Sequence, residues 1–216
     1  MKGVFAIVPA AGESKRMGSP KMLLPYNGMT VIEQVIENLL SAGISNILIV
    51  LGSDHEEILS KINGYHVSHC YNEDYRRGML SSVQCGLASL PDNDGGVLII
   101  PGDQPMIGQV QISLVIKTWS ESGKGIVMPV HNGKRGHPLI FNMKYRSEVM
   151  SLPDAKGLRE LAVMHPDDIM EAETDDPAVL RDIDTQKEYM DELKLIDRYG
   201  RDNPVQTEQK GDGTGR

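Results

Sequence analysis

Apolar residues in this chain come as short unbroken runs separated by stretches where they recur every three or four positions. Val4–Val8, Ile47–Leu51 and Gly96–Ile100 are runs of strand composition, the pattern of strands covered on both faces. Residues 66–70, 125–130, 139–141 and 169–171 predict further strands. Between the runs, positions 31, 32, 35, 36, 39 and 40 are apolar at helical spacing, and Gly43 marks a stop. Helices are also predicted over 55–62, from about 79, over 108–119, 144–151, 156–164 and 186–197. Gly52-Ser53-Asp54 offers a cap for the helix at 55, and Thr185 or Asp184 one for the helix at 186. Strands alternating with helices predict one three-layer α/β/α domain over residues 1–200. Its sheet is expected to be mostly parallel and Rossmann-like, with a small antiparallel insertion near 130–141. From 201 the chain is polar and rich in glycine, which predicts a flexible tail to 216.

The first strand empties into Pro9-Ala10-Ala11-Gly12, followed by Lys15, Arg16, Gly18 and Lys21. Small residues admit a ligand close to the backbone, and successive N–H groups in such a turn form a concavity for anions. The three cations add charge-assisted contacts, forked at Arg16 and point-like at Lys21. The stretch therefore predicts a polyphosphate cradle. It is not a Walker A loop, because five residues separate Gly12 from Gly18, and the Gly-x-Gly-x-x-Gly fingerprint is absent. Farther on, Asp103 follows the buried run at 96–100 and sits in Pro101-Gly102-Asp103-Gln104-Pro105. A carboxylate at the carboxyl end of a buried strand lies where open α/β sheets bind ligands. With substrate phosphates it suits Mg²⁺.

Composition sharpens this picture. The chain has 216 residues, a formal net charge of −8 and only 5% aromatic residues, with Trp119 its one tryptophan. A basic footprint for nucleic acid is missing, so a cationic loop in an acidic chain points to a small anionic ligand in one cleft. No run approaches the ~18 apolar residues of a membrane span, and the five apolar residues after Lys2–Gly3 do not make a secretory leader. A cytoplasmic location is expected, with neither membrane nor nucleic acid as partner. Cys70 and Cys85 are too few for a disulfide framework or a thiolate metal site.

The tract from Pro9 to Lys21 resembles the L-A-A-G-x-S-x-R-M-G-x-x-K signature of the MobA-like nucleotidyltransferases, with Pro9 where Leu is common. The resemblance covers about residues 3–190. It implies that Ala10, Ala11, Gly12, Arg16 and Lys21 bind a nucleoside triphosphate. It further implies that Gly78 and Ser82, in a Gly-x-x-x-Ser segment, face the base, and that Asp103 is both a metal ligand and a nucleotide contact. Val179–Thr185 is similar to the family's D-I-D-T-P pattern, with Gln186 in place of the proline. By that resemblance Asp182 supplies the second metal ligand, preferred over Asp184 because Asp184 is available for capping. Arg16, Lys21 and Asp103 are the catalytic candidates.

The tract Gly133–Phe141 is similar to G-x-R-G-H-P-x-x-F of the molybdenum cofactor cytidylyltransferases, and Pro101-Gly102 also favours that branch. Arg135 and His137 are thereby expected to meet the acceptor, and Gly157-Leu158-Arg159 resembles a further family segment. What the branch implies is transfer of CMP from CTP to molybdopterin with Mg²⁺, and a molybdenum hydroxylase as a further partner. The alternatives are GTP, a sugar or polyol phosphate acceptor, or a carrier of the cofactor without turnover.

Overall fold

The structure, a computed structural model, describes residues 3–92 and 94–202. Strand β1 (Val4–Ala10) is followed by a two-strand hairpin, β2 (Pro25–Tyr26) and β3 (Met29–Thr30), which leads into α1 (Val31–Ser41). Next come β4 (Asn46–Leu51), α2 (His55–Ile62), β5 (Ser68–Tyr71), α3 (Met79–Ser89), β6 (Gly96–Ile99) and α4 (Gln109–Ser122). The second half holds β7 (Ile126–His131), β8 (Lys134–Arg135), β9 (Leu139–Asn142), α5 (Arg146–Ser151), α6 (Arg159–Met164), β10 (Ile169–Glu173) and α7 (Gln186–Asp202).

One sheet organises these elements in the order β10-β7-β9-β6-β1-β4-β5, with β8 paired to β7. The pairs β4–β1, β1–β6, β4–β5 and β7–β10 are parallel, whereas β9 runs antiparallel between β6 and β7. The fold class is thus the expected α/β one, mostly parallel with its antiparallel element at 139–142.

Successive side chains of a strand point to opposite faces. In β1, Ala6, Val8 and Ala10 pack with α1, α2 and α4 residues such as Ile36, Ile58 and Ile112. Ile7 packs on the other face with Leu80, Val83, Leu87, Val149 and Leu161 from α3, α5 and α6. Unbroken apolar runs and two helical layers are therefore the same fact. α1 starts at a capping box in which Thr30 accepts from the Glu33 N–H and the Glu33 carboxylate accepts from the Thr30 N–H.

Several boundaries depart from expectation: the helix expected over 156–164 begins only at Arg159, the one at 108–119 spans Gln109–Ser122, and the strand at 66–70 lies at Ser68–Tyr71. α7 runs to Asp202 rather than 197, and the remainder of the expected tail, 203–216, lies outside the described residues. Asp54 occupies the N-cap position of α2 but makes no side-chain cap bond. Among the described residues, no helix is long and apolar enough to cross a membrane.

Candidate functional site

The loop after β1 is held against the end of β4. Ser53 N donates to Ala11 O at 3.3 Å, and Ser53 Oγ to Gly12 O at 3.1 Å. Gly52 makes this approach possible, since a Cβ there would lie 2.4 Å from Ala11 O. Lys21 N donates to Ser14 Oγ at 3.0 Å, which closes the loop and sets Lys21 at the start of a 3₁₀ turn. Behind it, Gly102 N donates to Pro9 O at 3.0 Å, and Ile183 N donates to Asp103 O at 3.0 Å. These two bonds dock the Asp103 turn on the loop and the 182–184 segment on the Asp103 turn.

The charges converge as a result. Lys21 Nζ donates to Asp103 Oδ2 and, at 2.9 Å, to Asp184 Oδ1. Arg16 pairs with the other Asp184 oxygen at 2.5 Å. The side chains of Lys21, Asp103 and Asp184 are only 12%, 17% and 22% exposed. Burial opposes the charge on Lys21, but the two carboxylates outweigh it and raise its pKa. Burial likewise opposes the charge on Asp184, and hydrogen bonds from Lys21 and Arg16 hold its pKa below the usual carboxylate value.

Asp182 is in the reverse situation. Burial, then the charges of Asp184, Asp103 and Glu188, push its pKa up against the weaker pull of Lys21. Asp184 is not the cap of α7. That role falls to Thr185, whose Oγ1 accepts from Glu188 N at 3.3 Å while the Glu188 carboxylate accepts from Thr185 N at 2.8 Å. Lys21 and Arg16 engage Asp184 and Lys21 engages Asp103, whereas Asp182 has no ion pair among the described residues. Among the described residues, no three His, Cys, Asp or Glu side chains are placed to cage a metal by themselves. Two neighbouring carboxylates fit a hard ion that completes its shell with phosphate oxygens and water.

A cavity of about 200 Å³ opens beside this cluster, lined by Ala11, Gly12, Lys21, Gly78, Ser82 and Asp103. Tyr75 and Met79 line it too, with Pro9, Met22 and Pro101. Gly78 has φ +109°, a conformation that side chains resist, and the turn it makes delivers α3 into the cavity. Buried Asn72 donates to Ser81 Oγ at 2.9 Å and to Ser82 Oγ at 3.1 Å. Ser82 Oγ thus accepts from Asn72 and keeps its own hydrogen to donate. Ala10 is buried in β1 behind the cavity, and Arg16 stands outside it, tethered to Asp184.

A second cavity of about 430 Å³ shares Met79 with the first. Arg135 and His137 line it, with Met128, Leu139, Leu158 and Ala162 as apolar wall, Asp154 and Lys156 in the turn before α6, and Arg159 at the first position of α6. Burial lowers the His137 pKa against the opposing charge of Asp103, so its imidazole is neutral at neutral pH yet within the field of the carboxylate. Arg135 Nε donates to Glu171 at 2.7 Å.

Of the sequence-predicted residues, Ala11, Gly12, Lys21, Gly78, Ser82 and Asp103 line the first cavity and Arg135 and His137 the second, whereas Ala10, Arg16 and Asp182 line neither. Reasoning from sequence passed over Tyr75, Met79, Asn72 and the pairing of Asp184. Thr185 followed by Glu188 is a capping-box spacing that would have freed Asp184 for the site. Asn72 had no comparable signal.

Comparison with known proteins gives a consistent result. The family model described as a MobA-like NTP transferase domain matches residues 6–169. The molybdenum cofactor cytidylyltransferase of Escherichia coli K12 is 28% identical over 191 residues, 88% of this chain and 95% of that protein. A protein of Paenarthrobacter nicotinovorans named nicotine blue oxidoreductase is 30% identical over 154 residues, 68% of this chain and 75% of that protein. Among solved structures, the manganese complex of Rv0371c from Mycobacterium tuberculosis H37Rv superposes with a TM-score of 0.72. It is 24% identical, and the match covers 89% of this chain and 98% of that one.

Proposed function

The chain belongs to the MobA-like NTP transferase family, and from that premise we propose that it transfers CMP from CTP to the phosphate of molybdopterin, releasing pyrophosphate with Mg²⁺. The family is one of nucleotidyltransferases, and a relative named molybdenum cofactor cytidylyltransferase matches along nearly its whole length. The observation that carries the reading is the convergence of Lys21 on Asp103 and Asp184 at the mouth of a cavity walled by Gly12, Gly78 and Ser82.

In this reading the triphosphate lies on the 10–18 backbone, with Ala10, Ala11 and Gly12 nearest the nucleoside. Ser82 donates to the base, and Gly78 lets the backbone pass close to it. Lys21 keeps its proton at neutral pH and exchanges its carboxylate partners for phosphate oxygens. Arg16, exposed at the rim, swings from Asp184 to the leaving pyrophosphate. Asp103 and Asp182 would hold Mg²⁺, which supplies charge neutralisation on the phosphates when bound; the manganese in the Rv0371c complex supports a divalent ion in this fold. An acceptor phosphate oxygen attacks the α-phosphorus, and the bond to the β-phosphate oxygen breaks. The attacking oxygen is already ionised, so positioning and electrostatics suffice without a covalent nucleophile. His137 and Arg135 face the acceptor from the second cavity.

Pyrophosphate release is the test, measured with purified molybdenum cofactor, Mg²⁺ and either CTP or GTP. Release with CTP is expected. Release with GTP alone moves the protein to guanylyl transfer, and silence with both refutes the acceptor. Asp103→Ala should lower turnover by at least about 100-fold while the protein stays folded. Near-normal turnover in that variant at limiting metal would overturn the assignment of Asp103.

A further inference from the structure

Among the arginines whose side chains are described, all but one pair with a carboxylate. Arg16, Arg76, Arg77, Arg135, Arg146 and Arg181 each pair with a carboxylate. Only Arg159 of these described arginines has no such partner. Its Nε donates to Lys156 O at 3.2 Å, which orients the guanidinium and leaves both terminal nitrogens available. That free cation lines the 430 Å³ cavity.

The turn that carries it is anchored to the nucleotide side of the molecule. Arg77, one residue before Gly78, forms a two-pronged ion pair with Asp154, at 2.8 Å from Nε and 3.1 Å from the terminal nitrogen. Lys156 N donates to Pro153 O at 3.0 Å, folding the turn on itself. Arg77 neutralises the one carboxylate among the residues lining this cavity. Lys156 and Arg135 are engaged by Glu160 at 3.2 Å and Glu171 at 2.7 Å. The unbalanced charge in the cavity is therefore the positive charge of Arg159, beside an apolar wall of Met79, Met128, Leu139, Leu158 and Ala162.

We infer that Arg159 binds the phosphate group of the acceptor, with the acceptor's ring or chain resting on that apolar wall. The inference deepens the acceptor site and rests on the transfer reading given above. A guanidinium matches a phosphate monoester in charge and in fork geometry. Binding there would hold the phosphate in the cavity that His137 lines, adjoining the one lined by Asp103. Arg159 is a specificity residue here: it decides which acceptors enter.

Two measurements on the full chain test this. In steady-state pyrophosphate release with molybdenum cofactor, Arg159→Met should raise the KM for the cofactor about 10- to 100-fold, the worth of a charge-assisted phosphate contact. The KM for CTP should stay unchanged, and Arg159→Lys should recover part of the loss. An unchanged cofactor KM, or an equal rise in both KM values, overturns the inference. The second measurement is independent of acceptor identity. Binding of 4-methylumbelliferyl phosphate and of 4-methylumbelliferone is followed by calorimetry without nucleotide, so that no transfer occurs. The wild type should prefer the phosphorylated probe, and Arg159→Met should abolish that preference. No preference in the wild type, or a preference that survives in Arg159→Met, refutes the role. Absence of turnover with molybdenum cofactor, together with an Arg159-dependent probe preference, would refute the acceptor's identity and uphold the phosphate site.

Discussion

Replacing Lys21 with methionine probes the centre of the site, because it removes the cation and keeps the stem. The ammonium bridges Asp103 and Asp184, and all three side chains are largely shielded from water. Each hydrogen bond between charged groups contributes about 1.5–3 kcal/mol, but two freed carboxylates relax toward solvent or capture a cation, so the net loss is about 2–3 kcal/mol. For a domain of this size that lowers Tm by about 5–10 °C. The loss has a definite pH window. Asp184 has a pKa below its ordinary 3.8, so its share is present above that value and fades as pH falls through the lowered one. Lys21 has a pKa above its ordinary 10.5, so its share is present below that value and fades as pH rises through the raised one. Thermal melts of both proteins should therefore differ most between about pH 5 and 9 and converge in acid. Pyrophosphate release should drop about 10²- to 10³-fold, the cost of losing a preorganised cation at a phosphoryl centre. Mn²⁺ alone, titrated without nucleotide, should bind the variant more tightly, since its competitor for the carboxylates is gone. Melting within about 1 °C of wild type at pH 7, with turnover within about fivefold, would refute the electrostatic account of this cluster.

Other consequences are as direct. Gly52→Ala places a methyl group 2.4 Å from Ala11 O, so the loop must move; the KM for CTP should rise about tenfold or more, with a stability loss of about 1–3 kcal/mol, and unchanged values for both would mean the loop is not set by this packing. Asp168, at the opposite edge, accepts from Lys144 at 2.7 Å, from Gly125 N at 3.0 Å and from the Tyr145 hydroxyl. Burial opposes its charge, but these donors prevail and bring its pKa down to about 2. Its stabilisation, about 1–2 kcal/mol after solvent screening, is present above the ordinary 3.8 and lost as pH falls through about 2. Urea unfolding should thus separate wild type from Asp168→Asn at pH 6 and bring them together near pH 2, and a constant gap would contradict the assignment.

The layers were legible because they are written locally. The unbroken run at 4–8 and the 3.6-residue spacing at 31–40 each announce an element and the faces it buries. The glycine-rich loop and Asp103 were legible for a related reason, since each follows a buried strand directly and chemistry concentrates there. The cavity proposed for the acceptor was legible only at Arg135 and His137. Its wall is gathered from Met79, Met128, Leu139 and Leu158, positions spread over eighty residues that carry no shared spacing. Arg159 could be noticed as part of a motif, but its lack of a carboxylate partner is a property of three dimensions. The competition between Asp182 and Asp184 turned on a cap, and the 3.3 Å bond between Thr185 and Glu188 decides where that cap lies.

Charge ties these features into one arrangement. Without ligand, the site neutralises itself: Lys21 and Arg16 satisfy Asp103 and Asp184, Lys15 and Arg76 share Glu13, and Arg77 satisfies Asp154. A triphosphate bound without a divalent ion would take up the cations and strand three carboxylates, Asp103, Asp182 and Asp184, beside its own negative charge. A divalent ion bound without nucleotide would have to displace the ammonium of Lys21. On the proposed reading, binding the two together lets Lys21 and Arg16 turn to the phosphates while the divalent ion faces the carboxylates. In that same proposed reading, Arg159, without a carboxylate partner among the described residues, is kept for the anionic group that arrives without a metal. Cooperative binding of CTP and Mn²⁺ by calorimetry, each weak alone and tight together, is the expected result; independent affinities would mean that the ion pairs at Lys21 are not exchanged on binding.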